Sequence, residues 1–251
     1  MATGAHHDER DGLPREGQRP ALQRRRPARF LERLEGADSD ASHSILSEPE
    51  AFSDRQLLTD LLRPFGLKTA AVQAERLLEE FGTLAATLAA SPGRRVRMLA
   101  DHPEAALHLA RIRTAMLHAL REEALSGATI AGTEALARYL RADMGYRACE
   151  QLRILFLSTG NRLLADEVLS QGSIDSASLL PRPIVHRALE LGASGIILVH
   201  NHPGGSPEPS RADLEATRYL VTACRPVEIE VHDHLIVARG GWTSLRLKGL
   251  L

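Results

Sequence analysis

Apolar residues recur at helical spacing through the first half of the chain and fall into short extended runs through the second. Ser53 followed by Gln56 spells a capping box, after which Leu57, Leu58, Leu61 and Leu62 repeat on one face. A second helix is predicted from Thr69 to Phe81, with Val72, Leu77, Leu78 and Phe81 inward and Gly82 as its stop. Pro103 opens a third, longer helix carrying Leu107, Ala110, Leu117 and Leu120. Ser126-Gly127 marks the exit, so residues 45–126 read as a small helical domain.

The texture then changes. Thr133 is predicted to cap a short helix reaching Arg141. Strands follow at Leu152–Leu157, Leu163–Leu169, Gly195–His200, Val227–Val231 and Leu235–Ala238. Helical periodicity returns at Ile184–Leu191 and Arg211–Ala223. The expected class is mixed α/β, with the helical domain followed by a sheet flanked by helices over residues 127–251. Residues 1–44 are rich in Gly, Pro, Arg and acids and read as a disordered leader, with one short helical pattern at Phe30–Leu34. The cluster Arg24, Arg25, Arg26 and Arg29 reads as part of that solvated tail.

Composition narrows the function classes. A net charge of -1 over 251 residues gives no global attraction to nucleic acid or an acidic membrane. Cys149 and Cys224 lie far apart without a CxxC pair, which excludes a disulfide framework or thiolate zinc knuckle and suits a reducing cytoplasm. No apolar run approaches the roughly 18–20 residues of a membrane helix. The N-terminus carries acids rather than a signal-peptide core.

The chemistry concentrates in Val199-His200-Asn201-His202-Pro203-Gly204-Gly205-Ser206-Pro207-Glu208-Pro209-Ser210-Arg211-Ala212-Asp213. The apolar run GIILV delivers two histidines one residue apart, and alternation along extended backbone projects both to one side. The Gly- and Pro-rich stretch must turn, and Ser210 then begins a helix with Asp213 in its first turn. Strand end and helix start thereby converge on one point. Two imidazoles and a carboxylate suit one zinc ion and leave a fourth position open for water, made acidic enough to ionise near pH 7. Glu167 in ADEVLSQG is the expected general base. Ser210 with Asp213 is also a helix-capping box, a structural role compatible with ligation.

His-x-His, seven further residues and Ser-x-x-Asp together resemble the JAMM/MPN metallohydrolase signature. HNHP and the later Asp233-His234 resemble its bacterial RadC branch. The likeness runs through EQLRILFLSTGNRLLADEVLSQGS, LLPRPIVHRAL and WTSLRLKGLL, and more faintly through Leu46–Glu123. The resemblance implies cytidine-deaminase-like layering and hydrolysis of an amide or isopeptide bond in a peptide or protein substrate. It also implies His200, His202 and Asp213 as zinc ligands, Glu167 as base and Ser210 as oxyanion stabiliser. A DNA-associated accessory role is the alternative that the family suggests.

The chain departs from the family pattern in three places. Gly204 follows HNHP where Ser is usual, and Pro183 follows Pro181-Arg182 where Glu is usual. The family's helix-hairpin-helix carries a Gly-x-Gly turn, whereas Met98–Pro103 here has an acid and no glycine, which weakens the DNA expectation. His232 and His234, flanking Asp233 in a predicted hairpin, read as structural, with His234 supporting the site. Arg182 reads either as a substrate contact or as a surface residue. Cys224 reads as core, Asp166 as facing away from Glu167 across the sheet, and Trp242 with Leu245 as closing the sheet edge.

Overall fold

The computed structural model describes residues 52–65, 69–171 and 180–251. The predicted leader and its Phe30–Leu34 helix lie outside the described residues. Ser53 starts α1 (Asp54–Leu62) through the expected reciprocal capping box with Gln56. Helix α2 (Ala70–Phe81) ends at Gly82, whose φ of 88° lies in the left-handed region that glycine enters without steric cost. Two short helices follow, α3 (Leu84–Ala89) and α4 (Pro92–Met98), capped by the hydroxyls of Thr83 and Ser91. Neither is long enough to have shown a period in the sequence. Helix α5 spans Pro103–Ala124. The turn before it exposes Asp101, at the place where a DNA-binding hairpin would offer glycine amides.

Leu58, Leu62, Leu77, Leu88, Leu99 and Leu109 form the core of this helical part. Two predicted core positions are corrected: Val72 is 56% exposed and Leu107 51%. The buried stripe of α2 runs through Ala70, Ala74 and Leu77, and that of α5 through Ala105, Ala106 and Leu109. The small alanines let the helices approach closely, and Val72 then stands on the opposite side of its helix.

Beyond a small hairpin, β1 (Leu125–Ser126) and β2 (Thr129–Ile130), comes α6 (Thr133–Met144). Its cap residue is Gly132, and Thr133 is already helical, one position away from the expected cap. A five-stranded sheet follows, formed by β3 (Gln151–Leu157), β4 (Leu163–Gln171), β5 (Gly195–His202), β6 (Glu230–Ala238) and β7 (Gly241–Ser244), in the order β4-β3-β5-β6-β7. Helix α7 (Pro181–Leu191) precedes β5. Helix α8 (Arg211–Cys224) makes the crossover between β5 and β6, the one parallel pair of that sheet.

Alternation along the strands covers both faces. Leu152, Ile154, Phe156, Ile196 and Leu198 pack with Ile184, Ala188, Leu220 and Cys224 of α7 and α8. Leu155, Leu157, Ile197, Val199, Leu235 and Val237 pack against Leu136, Leu140 and Met144 of α6. The result is a mixed α/β sandwich of helix, sheet and helix. Trp242 lies on the edge strand β7, as expected for the closing segment, and Leu245 is buried directly after that strand.

One strand stands where two were predicted. The polar triplet His232-Asp233-His234 forms no hairpin but runs inside β6. It is accommodated by a register shift: Ile196 pairs with Val231, yet Ile197 pairs with Asp233, leaving His232 as the extra residue of a β-bulge. The His232 ring lies over Gly195, where an added Cβ would collide with it. Because the bulge inverts the alternation, Val231 and His234 both face α8, although they are three residues apart.

A core assignment of this kind predicts unequal responses to truncation. Phe156→Ala should cost about 3–5 kcal/mol in urea unfolding. Val72→Ala, at the position the sequence reading placed inside, should stay within about 0.5 kcal/mol.

Candidate metal centre

The end of β5 presents His200, Asn201 and His202. Pleating sends the histidines to one side and Asn201 to the other. Fully buried Asn201 accepts the Gln151 amide N–H (2.9 Å) and donates to the Cys149 carbonyl (3.1 Å), tying the approach to β3 against β5. The Pro- and Gly-rich turn leads to Ser210, whose hydroxyl accepts the Asp213 N–H (3.1 Å) while the Asp213 carboxylate accepts the Ser210 N–H (2.7 Å). The predicted capping box is therefore formed, and it aims Asp213 back at β5.

The three side chains meet at the wall of a cavity of about 410 Å³. Each offers one ligand atom, and these atoms lie within 4.8 Å of one another. His200 Nε2 stands 2.7 Å from His202 Nε2 and 3.3 Å from Asp213 Oδ1, and His202 Nε2 lies 3.4 Å from Asp213 Oδ2.

Hydrogen bonds behind the histidines decide which ring nitrogens carry protons. Thr217 Oγ donates its one hydrogen to the Asp213 carbonyl (2.6 Å), which can only accept. Its 2.6 Å contact with His234 Nδ1 must then be accepted from an Nδ1–H. Burial holds the pKa of His234 well below its ordinary value, the nearby His200 adds to this, and the ring is neutral. His234 Nε2 is consequently an acceptor, and it takes the Nδ1–H of His200 at 2.7 Å. Burial, offset in part by Asp213, also pushes His200 down to about 4, so it is neutral with a bare lone pair on Nε2. His202 reaches the same tautomer independently, giving Nδ1–H to the Ser206 carbonyl at 3.0 Å. Thr217 and His234 escaped the sequence reading as a unit, because the bulge that turns His234 toward α8 leaves no periodic signal.

Charge agrees with this arrangement. A proton on His202 Nε2 would be given to Asp213, and this, with the Ser206 carbonyl and the charges of Asp213 and Glu150, raises the His202 pKa against burial, so a metal ion at that nitrogen would take the place of a proton. Burial alone would raise the pKa of Asp213, but His202, His200 and Ser210 together hold it well below the carboxylate range. Asp213 is thus an anion facing two nitrogen lone pairs. Donors gathered this closely suit a cation among them. Tetrahedral zinc, with bonds of roughly 2.0–2.1 Å, sets its ligands about 3.3 Å apart, close to the two histidine–aspartate separations, while the two histidine nitrogens stand nearer each other. His200, His202 and Asp213 fit the ion and leave its remaining position toward the cavity.

Glu167 corrects the sequence expectation. It pairs across the sheet with Ile154, which pairs with Leu198. It therefore shares the sheet face of His200 but sits two strands away, roughly 10 Å by strand spacing alone. Arg187 on α7 grips its carboxylate at 2.7 and 3.1 Å, and it does not line the cavity. Besides Asp213, the carboxylates that do line it belong to Glu150 and Glu208, and Glu208 is held by Lys248 at 2.7 Å. No local pattern marks Glu150: Leu152 pairs with His200, and only that antiparallel register, carried two residues further, sets Glu150 opposite His202. Ser210 lines the same cavity, with its hydroxyl donating to Asp213 Oδ2 at 2.7 Å. Asp166 faces the other way, as expected, bound to Arg153. Arg182 is exposed in the first turn of α7. Cys224 is core, its thiol pushed up to about 11 by burial. Asp233 accepts bonds from the His234 amide and the Ser244 hydroxyl and joins no metal cluster among the described residues.

The hydrogen-bond chain makes a specific claim about Thr217. Thr217→Val removes the acceptor for His234, and zinc affinity, read by competition with a chromophoric chelator, should fall about 10–100-fold. Thr217→Ser should retain it.

A family model described as the RadC-like JAB domain matches residues 130–250. A "UPF0758 protein" from Rhodobacter capsulatus is 37% identical over 203 residues, covering 80% of this chain and 95% of that protein. Sheet order, site geometry and these matches agree: the chain belongs to the RadC-like family of the JAB/MPN superfamily.

Proposed function

We propose that this chain is a zinc-dependent hydrolase of peptide or isopeptide bonds that holds one ion per chain on His200, His202 and Asp213. The observation that carries the reading is the convergence of three electron-pair donors at the wall of a cavity that also presents Glu150. Membership of the JAB superfamily supports metallohydrolase chemistry in general. Zinc in such a ligand set supplies Lewis acidity that makes water nucleophilic near neutral pH.

Glu150 acts as the general base, in place of Glu167. It lies on the cavity wall, and its charge is felt at His202. A carboxylate there takes the proton of the attacking water and returns it to the leaving amine. Ser210 stands in the same chamber, and once Asp213 turns to the ion its one hydroxyl hydrogen, given to Asp213 Oδ2 in this structure, is released to meet the negative charge developing on the carbonyl oxygen. Glu167, neutralised by Arg187, ties β4 to α7 and holds that layer in place.

Among the described residues no helix is long and apolar enough to cross a membrane.

Plasma mass spectrometry of the purified protein should find one zinc per chain, lost in His202→Ala and Asp213→Ala. A folded wild type without zinc would sink the reading. On any peptide it cleaves, Glu150→Gln should lower turnover about 10²–10⁴-fold. Glu167→Gln, which removes only a half-exposed ion pair, should stay near wild type.

A further inference from the structure

A second and larger cleft, about 770 Å³, runs between α2–α5 and the α/β part. Pro203 lines both this cleft and the metal cavity, and Cys149, in the cleft wall, is followed directly by Glu150 in the cavity wall. The two spaces therefore meet along one edge.

The cleft has too many arginines for its acids. Arg94 is matched by Glu80. Arg95, Arg113, Arg147 and Arg239 have only Asp143 left on the wall. Asp143 gives its short contact, 2.7 Å, to Arg153 on β3, while Arg113 and Arg147 stand at 3.7 Å. Arg95, only 3% exposed, reaches the Leu88 carbonyl with Nη1, while its Nε and that of Arg113 have no hydrogen-bond partner. Arg239 has no carboxylate partner among the described residues. Burial lowers the pKa of both Arg95 and Arg113; Asp143 opposes this at Arg113, and a neighbouring arginine adds to it in each case. Like charges held together out of water are costly unless an anion joins them.

We propose that this cleft binds an acidic segment of the polypeptide substrate whose scissile bond lies at the metal centre, an inference that rests on the hydrolase reading. Guanidinium forks match carboxylates in a bidentate fashion, and a slot walled by helices admits an extended chain rather than a duplex. Single-stranded nucleic acid would need open aromatic faces for its bases. Of the two aromatic residues in the wall, Phe81 is already covered by the Arg94 guanidinium, 5.1 Å from its ring centroid. The overall charge of -1 provides no long-range pull on a polyanion.

Fluorescence anisotropy with a labelled glutamate-rich decapeptide and the full chain tests this. Saturable binding that weakens with added salt is expected. The Arg147→Glu/Arg239→Glu double variant, altered only at exposed positions, should bind at least about tenfold more weakly while keeping its zinc. Asp213→Ala should lose zinc and still bind the peptide, so that failure of the metal reading and failure of the cleft proposal give different results. Wild-type binding no tighter than to a glutamine-rich decapeptide, or undiminished binding by the double variant, overturns the proposal. Tighter binding of an oligothymidylate than of the acidic peptide overturns it in favour of a nucleic-acid groove.

Discussion

His200 lies near the end of the central strand of the sheet at 5% exposure, where a positive charge would have almost no water to stabilise it. Its ring is kept neutral for that reason, and a neutral imidazole has one donor and one acceptor to place. The surrounding structure leaves a single solution. The Nδ1 proton goes inward to His234, the chain of bonds continues through Thr217 to the first turn of α8, and the lone pair faces Asp213 on that same helix. One helix thus both supplies a ligand and ends the chain of bonds that orients another. The parallel β5–β6 pairing, with α8 as its crossover, is what makes this closed circuit possible.

The bulge at His232 belongs to the same circuit. A regular β6 would keep one alternation throughout, and a strand that buries Val231 against α8 would turn His234 to the opposite face. The extra residue restores the match, and Gly195 leaves room for the ring displaced by it. The bulge thereby serves orientation of the site while the sheet retains its buried faces on both sides.

Much of this was legible in the amino-acid order. The GIILV run, the turn after His202 and the Ser210–Asp213 box predict a strand end facing a helix start, and these are local patterns that need no knowledge of pairing. The convergence of His200, His202 and Asp213 follows from them. Misreadings arose where the answer depended on contacts distant in the chain. Glu167 sits in a strand with the right chemistry, but its distance from His200 is set by strand order, and its charge is met by Arg187 from a helix encoded later. Glu150, just before β3, is brought in by the antiparallel pairing of β3 with β5 and by the Asn201 clamp. Val72 is misplaced by its hydrophobicity, because close helix packing selects the alanine stripe. His232-Asp233-His234 looked like a turn because polar residues usually break a strand, and here internal hydrogen bonds satisfy them.

The clamp made by Asn201 has an entropic meaning. The residue between the two histidines is locked to the neighbouring strand by bonds in both directions, so the histidines on either side share one rigid frame. Asp213 is set in place by its own helix cap. All three donors are therefore ordered by folding of the sheet and helix, before any ion arrives. On the proposed reading the ion would be captured as by a chelating macrocycle, where the donor spacing is part of the host and selectivity among metals is exercised by geometry.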